Sequence, residues 1–248
     1  MDIDIDIRID MKKVIYTILI IAVVITAIVL TLKYTIINTR DQKIIIETEQ
    51  TYELLKKAYE KTLETESFEW EKGKMNTEIF AKAFVKNLPI KKDCQANKIN
   101  DNECFPYELN LARDIEGYKE RTSFRYYKVK LKNDIGVGFV IDSPACNMVR
   151  KRCGNVYIDV NGASNGPNKL SDDIYNFGIY KDGIKLFDLE ENHLPNCVYG
   201  IGITCSTYLL KFRNRDYKSL TPRKAKKLGL NLVVPNKKYW ANRRKFVY

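Results

Sequence analysis

The chain has 248 residues, 45% hydrophobic and 29% charged, which excludes a disordered chain and leaves room for one domain with its own core beside a membrane segment. Its net charge of +11 is local: residues 211–248 hold 13 Lys/Arg against one acid, Asp216, so the remainder is close to neutral and no uniformly basic domain is present. Six cysteines, a single histidine (His193) and no C-x-x-C pair weigh against structural zinc.

In chain order, residues 1–13 read as a cytosolic leader, with Met11 as the alternative start. Residues 14–32 contain no charge. At about 1.5 Å per residue this run reaches roughly 28 Å, close to the hydrocarbon thickness of a bilayer. It is longer than the apolar region of a cleaved secretory signal, and no clear small-residue site follows it, so a retained transmembrane helix is expected. Arg8, Lys12 and Lys13 precede it, and Lys33, Arg40 and Lys43 follow it, so flanking charge barely sets its orientation. All six cysteines lie C-terminal to it. Disulfides need an oxidising compartment, which places the N-terminus inside and the C-terminal domain outside.

Residues 33–68 continue as an amphipathic stalk helix. Ile37, Ile44, Ile45, Tyr52, Leu55, Tyr59 and Leu63 recur at helical spacing among Glu47, Glu49, Glu53, Lys56, Lys57, Glu60 and Lys61. No Pro or Gly interrupts Val14 to Phe68.

Residues 69–217 read as an extracytoplasmic α+β domain. Asn76 to Asn87 has helical spacing, and Pro89 ends it. A polar loop bounded by cysteines runs from Lys91 to Pro106. Strands are expected at Ser123–Leu131, Gly136–Asp142, Asn155–Val160 and Ile174–Tyr180. Lys181-Asp182-Gly183 is a hairpin turn before Ile184–Phe187, and Thr207–Phe212 is expected as the last strand. Such a succession makes an antiparallel meander that can bury the stalk. By proximity, the expected disulfides are Cys94–Cys104, Cys146–Cys153 and Cys197–Cys205.

Two segments carry candidate chemistry. Asp159 to Asp173 reads DVNGASNGPNKLSDD. Gly162, Gly166 and Pro167 with the asparagines explain a tight turn by themselves. The sharper reading is calcium: Asp159, Asn161, Asn168, Asp172 and Asp173 offer hard oxygen ligands, which backbone carbonyls would complete. The loop is not an EF-hand, because Ala163 and Ser164 stand where that motif needs an oxygen and a glycine. The second segment is the basic C-terminal extension, 218–248, with the residues just before it: Arg213, Arg215, Arg223, Lys224, Lys226, Lys227, Lys237, Lys238, Arg243, Arg244 and Lys245. Tyr217, Tyr239, Trp240 and Phe246 are interleaved with these charges, which suits a polyanion with stacked bases. A solvated tail against anionic lipid or acidic neighbouring subunits is the plainer alternative.

The long helix followed by a sheet, the run YIDVNGASNGPNKLSDDIYNFGIY (157–180) and the run CVYGIGITCSTYLLKFRNRDY (197–217) resemble type IV pilins and the pseudopilins of type II secretion. The likeness covers about residues 12–68 and 140–217. It implies a pilin-like fold, a bacterial cytoplasmic membrane location, partners among other pilin-like subunits or secretion machinery, and calcium in a loop of the sheet domain. Prepilins carry a Gly-Phe-Thr-Leu-x-Glu junction. Here Met11 to Thr17 reads MKKVIYT, with neither the glycine nor the glutamate, so the leader diverges from the prepilin pattern and the sequence leaves both a cleaved and an uncleaved form open.

No phosphate-binding Gly-rich loop and no G-x-S-x-G elbow is present. His193 near Cys197, and the adjacent acids Asp172/Asp173 and Glu190/Glu191, are weak catalytic candidates, so an enzyme is not expected. The expected function is a membrane-anchored structural subunit of a pilus-like filament or secretion pseudopilus. The alternative is a membrane-tethered binding protein for extracellular DNA or another polyanion.

Overall fold

A computed structural model describes residues 11–96, 103–112, 120–122, 126–189, 193–200 and 202–234. The chain divides into two units, Met1–Lys43 and Ile44–Tyr248. Helix α1 spans Met11–Thr65. Within the first unit, every residue from Val14 to Arg40 is exposed. This is the one helix, among the described residues, long and apolar enough to cross a membrane. Its threonines satisfy themselves: Thr26 and Thr31 donate to the carbonyls of Ala22 and Ala27, both at 2.8 Å. Hydroxyls bonded back to position i−4 leave no stranded polar group on the apolar surface.

From Ile44 onward the same helix buries one face in the second unit. Ile44, Ile45, Thr48, Thr51, Leu55, Ala58, Tyr59 and Thr62 are buried at three- and four-residue spacing. The Tyr59 hydroxyl donates to the Tyr180 carbonyl at 2.7 Å. Ile37 and Leu63, assigned to the apolar stripe from sequence, are exposed instead. The helix stops at Thr65 rather than running to Phe68, although no Pro or Gly ends it. Phe68 and Trp70 turn back to pack on Tyr59 and Phe80, with ring centroids 5.7–6.5 Å apart, and that aromatic burial outweighs three more helical residues.

Helix α2 (Thr77–Phe84) is capped by Asn76, whose side chain accepts from the Ile79 N–H at 2.9 Å. Strand β1 (Ile90–Gln95) follows, then β2 (Glu108–Leu109), β3 (Glu120–Arg121), β4 (Tyr127–Leu131), β5 (Gly136–Ile141), β6 (Gly154–Asp159), β7 (Ile174–Tyr180) and β8 (Gly183–Lys185). The main sheet has the order β1-β4-β5-β6-β7-β8 and is antiparallel throughout; β2 and β3 form a separate two-stranded ladder. An α+β layout, a long helix with a six-stranded antiparallel sheet, is therefore present. β1 overlaps the segment expected to be a polar loop. Its consecutive Lys91, Lys92 and Asp93 are those of an edge strand, which charge protects from further pairing.

Alternation along the strands sorts residues to two faces. Phe139, Val156, Ile158, Tyr175 and Phe177 join α1 and α2 in the main core. Val140, Tyr157 and Ile174 join Phe105, Leu109, Leu111, Tyr126 and Leu170 in a smaller cluster on the opposite face. Gly138 is required there, because a Cβ would stand 2.8 Å from the Phe105 ring.

Short helices α3 (His193–Tyr199), α4 (Cys205–Phe212) and α5 (Pro222–Lys227) complete the described chain. The strand expected at Thr207–Phe212 is thus helix α4. Its Thr, Tyr and Phe content favours a strand locally. Burial of Cys205 to Leu209 and a hydrogen bond from Ser206 to the Asn176 carbonyl of β7 override that preference. The three expected disulfides are those the structure holds: Cys94–Cys104, Cys146–Cys153 and Cys197–Cys205. Leu220, Ala225 and Leu232 lie in the main core, so the domain continues past residue 217 into the segment expected to be an extension.

Candidate metal site

Residues 160–173 connect β6 to β7. Asp159 ends β6 opposite Ile174, and the Val160 N–H donates to the Asp173 carbonyl at 3.0 Å, so the loop's two ends stand side by side. Gly162 has φ +83° and faces the Asp134 carbonyl, 3.1 Å from where a Cβ would sit. Asn168 (φ 50°) and Ser171 (φ 69°) also take left-handed conformations. Asparagine adopts such an angle readily, whereas Ser171 holds it only where its surroundings impose it. The segment 108–112 supplies part of the loop's constraint: Asn110 N–H donates to the Asn168 carbonyl at 2.8 Å, and the Asn110 side chain to that of Pro167 at 2.7 Å.

Asp173 is fully buried, and its carboxylate organises the loop. It accepts the Lys169 N–H at 2.6 Å and the Asn168 N–H at 2.9 Å. Asp159, also fully buried, accepts the Asn161 N–H at 3.3 Å through Oδ1. Its Oδ2 is buried without a partner. The Asn161 amide donates to the carbonyls of Asn165 (2.5 Å) and Gly166 (3.2 Å), and the Asn168 amide to that of Ala163 (3.2 Å). Those carbonyls fix which way each amide points. The Oδ1 atoms of both asparagines are then left buried with no donor.

Among the described residues, three buried acceptor oxygens, one of them on the Asp159 carboxylate, therefore lack donors, and the buried Asp173 carboxylate belongs to the same loop. Each unmet acceptor costs about 1–3 kcal/mol. Burial, and then the charge of Asp173, push the Asp159 carboxyl up to about 8, against the backbone N–H groups of Asn161 and Gly162. Burial raises Asp173 as well. The donor set of Asp159, Asn161, Asn168 and Asp173 is all hard oxygen with a charge of −2, which fits a divalent oxophilic cation such as calcium. Among the described residues there is no cluster of three His, Cys, Asp or Glu side chains, so the capacity for metal rests on this mixed carboxylate–amide set.

Asp172, the fifth expected ligand, is engaged elsewhere. Its carboxylate is paired with Lys218 and lies 3.6 Å from Arg215, and its main-chain oxygen accepts from Arg215 at 2.7 Å. The sequence reading missed this pairing. Its signal was the F-R-N-R-D-Y-K run (212–218), of which Arg213 and Arg215 are expected from sequence to face an outside ligand.

The basic set divides accordingly. Arg213 binds both carboxylate oxygens of Glu49, at 2.7 and 2.6 Å, and Arg215 is nearly buried against Asp172. Arg223, Lys224, Lys226 and Lys227 are exposed on and beside α5, and no ion pair among the described residues engages them. Lys237, Lys238, Arg243, Arg244 and Lys245 lie outside the described residues, as do Tyr239, Trp240 and Phe246. Cys197 is bonded to Cys205, so it presents no thiol to pair with His193.

No family model matches the chain, and neither a curated protein nor a solved structure matches it.

Proposed function

We propose that this chain is a membrane-anchored, pilin-like structural subunit of a surface filament or secretion pseudopilus. In this reading the apolar half of α1 sits in the bacterial cytoplasmic membrane, the N-terminus is inside and the disulfide-bonded domain is outside. The observation that carries it is α1 itself. It runs without a break from an exposed apolar segment, whose threonines are internally satisfied, to a segment whose face forms the core of an antiparallel sheet. Three disulfides support an oxidising compartment for the second unit.

Calcium belongs to this reading as a structural ion. Asp159, Asn161, Asn168 and Asp173 would hold it, and when bound it would supply the positive charge that the two carboxylates lack. Asp173 meanwhile fixes the backbone at Asn168 and Lys169, and the asparagine amides tie the loop's carbonyls to one another.

The test is fractionation of cells making the native chain. Material sheared from the cell surface, or membranes solubilised gently, should contain multimers that chemical cross-linking captures as a ladder. A chain found only as a detergent-soluble monomer, with no cross-linked copies, would refute the subunit reading.

A second reading, a membrane-tethered polyanion-binding protein, is favoured by the unpaired cations on α5. It predicts DNA binding that weakens steeply between about 50 and 200 mM salt and is lost when Arg223, Lys224, Lys226 and Lys227 are changed to Gln.

A further inference from the structure

We propose that Arg215, Tyr217 and Lys218 form a latch on the metal loop, so that calcium occupancy of the loop and seating of the basic C-terminal segment are coupled. The inference rests on the calcium reading above and adds to it a role for the segment that follows α4.

The latch grips the loop's main chain at its two residues next to Asp173. Tyr217 is fully buried, and its hydroxyl donates to the Ser171 carbonyl. Tyr175 on β7 places its own hydroxyl 3.3 Å from that of Tyr217 and 3.3 Å from the Asp172 carbonyl. Arg215 donates to the same Asp172 carbonyl, and with Lys218 it neutralises the Asp172 side chain. Asp216, between them, accepts from Tyr208 of α4 at 2.8 Å, and Leu220 and Ala225 carry the chain into the core. The exposed cations of α5 therefore hang from a segment fastened to residues 171–172.

Two consequences follow. Neutralising Asp172 from outside leaves the loop two carboxylates, Asp159 and Asp173, that no cation among the described residues pairs with, the number that balances one divalent cation. The loop also holds Ser171 in a left-handed conformation that needs external support. The latch supplies that support at 171–172, and a metal would supply it at 159, 161, 168 and 173. Both favour the same loop conformation, so each lowers the ordering cost that the other must overcome. Such coupling is reciprocal: whatever calcium does to the seating of 213–220, the seating does to calcium affinity.

The full chain in detergent micelles is titrated with calcium by calorimetry, and hydrogen exchange at residues 214–220 is followed with calcium and with chelator. Calcium should slow exchange there at least about 5-fold, the lower end of typical coupling, while β4 is unaffected. Tyr217→Phe, which keeps the ring and changes no charge, should weaken calcium binding by at least about 5-fold. Arg215→Gln gives a test of sign. If Arg215 were only a bystander charge, its removal would strengthen cation binding; as a latch residue, its removal weakens it. Should either variant fail to fold, Lys218→Gln at the half-exposed end of the latch replaces it, with weakening again expected. Calcium binding with unchanged exchange at 214–220, or with wild-type affinity in the variants, overturns the latch and leaves the metal loop standing. Absence of any calcium binding overturns both.

Discussion

Asp134 sits in the short turn between β4 and β5, and Asp159 opens the long loop between β6 and β7. The two meet where the Asp134 carbonyl faces Gly162. Asp134 is exposed, and Lys91 and Lys130 lie 2.7 and 3.3 Å from its carboxylate, which holds its carboxyl below the usual range. Asp159 is buried beside a second carboxylate, and its own carboxyl is pushed up to about 8. The first turn neutralises its charge from the protein's own lysines. The second encloses charge of one sign and leaves acceptor oxygens unmet, so its balance has to come from a proton or a cation. The same residue type in neighbouring connections is thus surface decoration in one case and a candidate site in the other.

The largest expected effect breaks the second connection outright. Asp173→Ala strands the N–H groups of Asn168 and Lys169, each bonded to a carboxylate acceptor at roughly 1.5–3 kcal/mol, so the second unit should lose about 3–6 kcal/mol. Chemical denaturation of the chain in micelles would measure it, and a loss below about 1 kcal/mol would show that the carboxylate does not organise the loop.

Next in size is calcium itself. At about 100 times its dissociation constant it should stabilise the folded state by about 2.7 kcal/mol, or roughly 5–10 °C in Tm for a unit of this length. Asp159→Ala should abolish the rise. A Tm that is the same in calcium and in chelator would leave the loop a turn only.

With chelator present, pH should then separate the two connections. The folded carboxyl of Asp159 titrates near 8 and the unfolded one near 3.8, so between those values the folded state holds a proton that the unfolded state has released. Stability is therefore greatest below the unfolded value and falls as pH rises towards 8. Asp159→Asn should flatten that decline, and saturating calcium should reverse it by favouring the ionised carboxylate. For Asp134, with its folded value lowered, the sign is opposite: its contribution is present above the unfolded value and is lost as the solution is acidified. The smallest effect follows, since Lys91→Gln removes one partner of an exposed pair and should leave Tm without a resolvable change. A clear drop would mean that the β4–β5 turn is more than surface decoration.

The polar content of both connections was legible in the sequence, and the structure joins Asn168 and Asp173 by a hydrogen bond and Asn161 to Asp159 by another. Asp172 was grouped with them because it is adjacent to Asp173. Neighbouring side chains diverge, however, and only the folded chain brings Arg215 and Lys218 to it across more than forty positions. The same limit applied to α4. Its Thr, Tyr and Phe composition argued for a strand, whereas Ser206 bonded to β7 and the Cys197–Cys205 link hold it as a helix. Strand β1 was hidden by its charges, which mark an edge position that composition cannot distinguish from a loop.

What the residues determined by themselves is whatever depends on short-range spacing. That includes an uninterrupted apolar and then amphipathic helix, an antiparallel meander, three cysteine pairs and a glycine- and asparagine-rich loop. Periodicity, turn chemistry and short loop closure act over a few residues and need no knowledge of the rest of the chain. What only the tertiary structure decided is which charges are matched. Burial strips water from Asp159 and Asp173, while among the described residues the C-terminal segment delivers cations to Asp172 and none to them. Desolvation and long-range pairing depend on what surrounds a side chain, and that is assembled only when the chain has folded.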